Sequence, residues 1–222
     1  MMIKFNARCT VFHAEAKFSR MELSVKKVTG THAHDYIVDN IAKPLCMKDT
    51  SFDLTPDMAK RSIIFDKDQE KYFNSVINGT YKPRWIGEKL RIPSTGGGLK
   101  STAYDLNRFG NMALYGGTFN NTRILGRKAM EKMTTKSLHN IPDYCWGVNQ
   151  PDRGYGIGFD MRSEPSFIYS PGTFCHEGAG ACALYIDPKE ELVAAWFVPY
   201  KNDAWYSELI WNVVNIIWSG LI

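Results

Sequence analysis

The sequence has no Cys-x-x-Cys pair, no run of basic residues, no low-complexity segment, no internal repeat and no apolar stretch of membrane-spanning length. Each absence narrows the function. The five cysteines (Cys9, Cys46, Cys145, Cys175 and Cys182) are odd in number and irregularly spaced. That argues against a disulfide framework and against a cysteine zinc site. His32 and His34 form a His-x-His pair, but no cysteine or carboxylate cluster completes it at ligand spacing. We therefore expect no metal, no other cofactor, and two surface residues near a helix start. The net charge of +4, from 27 basic and 23 acidic residues, is too small to point to nucleic acid. The apolar run Leu209–Ile222 is too short to cross a bilayer and is interrupted by Asn212, Asn215 and Ser219. A docked helix fits it better. Residues 1–10 contain Lys4 and Arg8 and no apolar export core, so a cytoplasmic location is the default expectation.

What remains is an ordinary globular composition: 222 residues, 44% hydrophobic, 23% charged, rich in Trp, Tyr and Phe. That length builds one large domain or two small ones. Residues 1–20 show no clear period and read as an irregular N-terminal segment. From Met21 onward the signals sharpen. Met21–Val28 reads as the end of a helix stopped by Gly30, and Thr31–Ala42 as a helix ended by Pro44. Residues 43–100 read as loop-rich, with Pro44, Pro56, Pro83 and Pro93 spread along them. Thr102 starts the clearest helix: Thr102 and Asp105 fit a capping arrangement, Leu106, Phe109, Met112 and Ala113 supply the buried face, and Gly116-Gly117 stop it. Gly126–Met133 is a shorter helix.

The last third changes character. Tyr155–Met161, Phe167–Tyr169, Thr173–His176, Ala181–Ile186 and Leu192–Val198 read as strands separated by turn residues. Strands in series without intervening helices predict an antiparallel sheet. Ala204–Leu221 closes the chain as a helix, with Trp205, Leu209, Val213, Ile216 and Ile217 as its apolar stripe. The expected class is α+β, an antiparallel sheet packed by helices. A helical and loop region, 21–150, precedes the sheet and closing helix, 151–222.

Four segments then become familiar in order: IVDNIAKPLCMKDTSF (Ile37–Phe52), GGGLKSTAYDLNRFG (Gly96–Gly110), YGIGF (Tyr155–Phe159) and HEGAGACALYIDP (His176–Pro188). Together they resemble the C-terminal part of the serine β-lactamase-related hydrolases, which include class C β-lactamases, penicillin-binding proteins and esterases. The resemblance covers roughly residues 20–200, is specific for the family and is unspecific for substrate. It implies a β-lactamase-like fold, incomplete at the N-terminus. It also implies that Cys46 stands where the family usually has glycine, which strains the backbone if positive φ is needed there.

Enzymes of this family use a Ser-x-x-Lys pair, a Tyr-x-Asn element and a Lys-x-Gly or His-x-Gly strand edge beside the oxyanion hole. By this resemblance His176, Glu177 and Gly178 form the strand edge, and the Ala179 N–H would be one oxyanion donor. Counting back from Gly30 places His13 and Glu15 where the Tyr-x-Asn element belongs, and neither matches. A literal Ser-x-x-Lys occurs at Ser24 and Lys27, but in a segment that is an ordinary helix in the family. Two literal Tyr-x-Asn strings, at Tyr72 and Tyr200, lie on the wrong side of the other motifs. Cys175 and His176 are adjacent on a strand and so point to opposite faces. The expectation is a β-lactamase-related hydrolase homologue, truncated and weakly active or inactive alone. Its ligand would be a β-lactam, peptide or ester. The alternative is a non-catalytic ligand-binding or partner-dependent protein, with a homo-oligomer or a complementing chain at an exposed sheet edge.

Overall fold

The computed structural model describes residues 3–4, 24–64, 66–81, 98–138, 154–161, 168–178, 182–198 and 209–222. The chain divides into two compact units, Met1–Asp105 and Leu106–Ile222.

In the first unit, Ile3–Lys4 (β1) pairs antiparallel with Lys100–Ser101 (β2). Residues 24–29 (α1) form a helical turn, and Gly30 ends it at φ 75°. Ala33–Ile37 (α2) continues into a wider turn, Val38–Ala42, where the Lys43 N–H reaches back five residues to the Val38 carbonyl at 2.9 Å. The region expected to be loop-rich holds two helices, Pro56–Lys60 (α3) and Lys67–Ile77 (α4). Pro56 accounts for the misreading of α3. It sits in the first turn, where no N–H is required. Thr55 caps α3 through the Met58 N–H at 3.2 Å, and Asp66 caps α4 through the Gln69 N–H at 2.8 Å. Leu54, Met58, Ala59 and Val76 form the small core between these helices.

Ala103–Leu114 (α5) starts at Thr102, whose hydroxyl accepts from the Asp105 N–H at 3.1 Å, as the capping pattern predicts. Gly116 and Gly117 end it at φ 64° and 94°. A two-residue hairpin, Thr118–Phe119 (β3) with Thr122–Arg123 (β4), leads to Arg127–Met133 (α6).

The five-stranded sheet of the second unit is antiparallel throughout. Its order is Gly154–Tyr155 (β5), Asp160–Met161 (β6), Phe174–Gly178 (β7), Cys182–Asp187 (β8) and Leu192–Phe197 (β9). All six residues of β8 are buried. On one face Phe174, Leu184 and Ile186 pack with Ala113 of α5 and Met130 of α6. On the other, Cys175, Ala183 and Tyr185 pack under Ile210, Val214 and Trp218 of the closing helix, Trp211–Ser219 (α7) and the turn before it.

Three sequence expectations are corrected here. Tyr155–Met161 is not one strand but the hairpin β5–β6, because Gly158 turns the chain at φ 87° and Gly156 donates to the Phe159 carbonyl at 2.8 Å. Ile168 and Tyr169 form a bend rather than a strand, and Phe167 lies outside the described residues. Tyr169 turns in to pack its ring 6.3 Å from that of Trp218. The buried stripe of α7 is Ile210, Val214 and Trp218, while Ile216 is 70% exposed and Trp205 lies outside the described residues. What sets the rotation is a hydrogen bond. The Trp218 indole N–H donates to Asp187 Oδ2 at 2.8 Å.

Asp187 is fully buried and collects four donors: Trp218 Nε1 and the Ser170 N–H on Oδ2, the Lys189 and Glu190 N–H groups on Oδ1. Burial pushes its carboxyl up, but these donors outweigh burial and hold it below the usual aspartate value. A depressed folded pKa gives stability that is present above the unfolded value and lost as pH falls through the folded one. Asp187→Asn is therefore expected to lower stability at pH 7 by about 2–3 kcal/mol. In urea denaturation the gap to wild type should narrow below about pH 4, the range where an unfolded aspartate takes its proton.

Candidate functional site

The site builds outward from the end of β7. Its first residues, Phe174 and Cys175, pair with β6 on one side and β8 on the other. From His176 to Gly178 the strand pairs with β8 alone among the described strands. Strand alternation places Phe174, His176 and Gly178 on the face covered by α5 and α6, and Cys175 and Glu177 on the face covered by α7. Cys175 and His176 are thus on opposite faces, as the sequence predicts.

The His176 ring is held at both nitrogens. Nδ1 lies 3.0 Å from the Glu177 carbonyl oxygen, and Nε2 lies 3.2 Å from the Tyr155 hydroxyl of β5. Tyr155 was not among the site residues expected from the sequence. Only the register of β5, β6 and β7 brings its phenol to His176. Glu177 turns the other way. Its buried carboxylate accepts from the Tyr185 hydroxyl, so it fastens β7 to β8 beneath α7. Gly178 is buried opposite Cys182, and Ala179 lies outside the described residues.

Of the other candidates, Ser24, Lys27, Tyr72, His32 and His34 belong to the first unit. Ser24 and Lys27 stand on α1 with both side chains exposed. His13 and Glu15 lie outside the described residues. Tyr72, from a discounted Tyr-x-Asn string, sits on α4, where burial and then the neighbouring Tyr81 push its phenol up to about 12. Such a phenol is a poor proton acceptor near neutral pH. Tyr200 lies outside the described residues. His32 approaches Lys26 Nζ at 3.2 Å. His34 is buried edge-on to Phe52, ring centroids 5.2 Å apart, rather than at the surface. Among the described residues no three His, Cys, Asp or Glu side chains form a group suited to a metal. No described helix is long and apolar enough to cross a membrane.

The two motifs of the first unit turn out to be one structure. Asp105 is 2% exposed, and its Oδ2 accepts from the Asp49 N–H and the Thr50 hydroxyl, each at 2.8 Å. Thr50 Oγ1 also lies 2.7 Å from Ser101 Oγ. The Pro-Leu-Cys-Met corner is thereby tied to the start of α5. Leu45 and Met47 bury their side chains, while Cys46 is exposed at φ 54°, the strain expected where glycine is usual. In YGIGF the reason for glycine is equally physical: a Cβ at Gly156 would lie 2.0 Å from the Met133 carbonyl oxygen.

Comparison with known proteins agrees with this architecture. A family model described as beta-lactamase matches residues 21–208. An uncharacterized protein of Mycobacterium tuberculosis is 24% identical over 193 residues, which cover 81% of this chain and 46% of that protein. A beta-lactamase from Mycobacterium bovis superposes with a TM-score of 0.63 at 19% identity, over 91% of this chain and 61% of its own. A family VIII carboxylesterase superposes with a TM-score of 0.65 at 17% identity, over 96% and 59%. The chain spans about half the length of the relative it matches.

Two substitutions test the scaffold role of the motifs. Asp105→Ala removes the acceptor of one buried and one half-buried donor and should cost roughly 2–3 kcal/mol in urea denaturation. Cys46→Gly relieves the positive φ and should raise stability by about 0.5–1 kcal/mol, after the greater chain entropy of glycine is set against the gain.

Proposed function

This chain belongs to the beta-lactamase family of serine hydrolase-related proteins, and from that premise we propose that it is built for acyl transfer on a β-lactam, peptide or ester, yet is weakly active or silent on its own. The observation that carries the proposal is the contrast between two sites. The His176–Gly178 edge holds its imidazole at both nitrogens. The only literal nucleophile pair, Ser24 and Lys27, is exposed on a helical turn.

Acyl transfer needs a nucleophile, its base and the oxyanion donors within hydrogen-bond reach of one carbonyl. Exposed side chains on a surface turn do not exclude water or gather such donors. The role we assign to this chain is the wall of the cleft. His176 contributes a polar contact at the strand edge, and Gly178 lets the ligand approach the backbone closely. The nucleophile is then supplied by residues other than Ser24.

A second reading is a ligand-binding or partner-dependent protein without catalysis. The feature that favours it is the exposure of Ser24 and Lys27, which leaves the His176 strand a ligand-binding role without an acyl-transfer pair.

Intact-mass spectrometry after incubation with a fluorescent penicillin, and separately with a fluorophosphonate, tests the proposal. We expect no adduct on the folded chain. An adduct mapped to Ser24 contradicts it. Thermal stabilisation by benzylpenicillin without an adduct supports the binding reading.

A further inference from the structure

The two hydrogen bonds of His176 fix more than its orientation. A carbonyl oxygen only accepts, so the 3.0 Å contact with the Glu177 carbonyl requires a proton on Nδ1. A neutral imidazole carries one N–H, so Nε2 is then a lone pair. The Tyr155 hydroxyl, 3.2 Å away, is its donor. We infer that Tyr155 is a positioning residue for His176: the Glu177 carbonyl keeps the neutral ring protonated at Nδ1, and the Tyr155 hydroxyl fixes the ring by donating to Nε2 at the strand edge.

The arrangement has a chemical consequence. While the ring is neutral, the phenol hydrogen is spent on Nε2. The single Nε2 lone pair already holds the phenol hydrogen, so a ligand proton reaches the ring through the phenol: it bonds to the tyrosine oxygen as the phenol hydrogen passes to Nε2. The ring becomes an imidazolium with two N–H donors, the phenol oxygen accepts from Nε2–H, and the hydroxyl hydrogen now faces the ligand. Tyrosine gains one proton and gives one up. The pair thus presents a neutral acceptor in one state and a hydroxyl donor in the other. That it serves a ligand rests on the function proposed above. The tautomer does not.

Long-range 15N–1H NMR of the 15N-labelled chain reads the ring directly, with His176→Asn identifying the signal by its loss. In wild type we expect Nδ1 protonated and Nε2 as a hydrogen-bonded lone pair. In Tyr155→Phe, with an unchanged amide spectrum as the folding control, the Nε2 resonance should move toward that of a free lone pair while Nδ1 keeps its proton. A wild-type ring with its proton on Nε2 overturns the inference without any variant. So does an Nε2 resonance that Tyr155→Phe leaves in place. If the tautomer is as stated but a saturating β-lactam or ester leaves both ring nitrogens unmoved, the functional proposal fails and the positioning role stands.

Discussion

The second unit depends on how β8 ends. A strand buried on both faces has no water to satisfy the polar groups where it stops, so its last residue must organise its own partners. Asp187 does this with one carboxylate. It binds the turn that leads to β9, the bend that leads to β7, and the indole of Trp218. The turn out of β8 and the indole of α7 are both fastened to that group. Because β7 is held in register against β8 from Phe174 to Gly178, the anchor also sets where His176 stands.

A second buried carboxylate does comparable work in the first unit. Asp105 joins the corner at Asp49 and Thr50 to the start of α5. Each replaces solvent with fixed donors, and a lone buried carboxylate without them would be costly. The segments by which this chain is known to belong to its family are thus largely a frame. Proline, glycine, threonine and aspartate stand in them because a corner, a cap, the turn at Gly158 and the close backbone approach at Gly156 require those residue types. The chemistry we propose is concentrated in a few atoms at the end of one strand. Membership of the family and possession of a nucleophile are therefore separate questions for this chain.

Much of the frame was legible in the sequence. Thr102 as a cap, Gly116-Gly117 as a stop and the strain at Cys46 are local matters, decided within a few residues. Where the sequence misled, a distant contact decided. The stripe of α7 was misassigned by one position because its rotation answers to Asp187, far away in the chain. Tyr155–Met161 looked continuous because apolar alternation does not show which glycine has positive φ. The helix α3 was hidden by a proline that belongs in a first turn. The Tyr155–His176 contact had no local signal at all, since two strand registers must both be known before the phenol meets the ring.

The separation of frame from nucleophile is tested most directly by comparing wild type with Ser24→Ala in hydrolysis of a chromogenic cephalosporin and a p-nitrophenyl ester. Equal rates, at whatever level, are the predicted result. A loss on the order of 10³-fold or more in Ser24→Ala, the scale on which true nucleophiles fail when removed, would contradict the account.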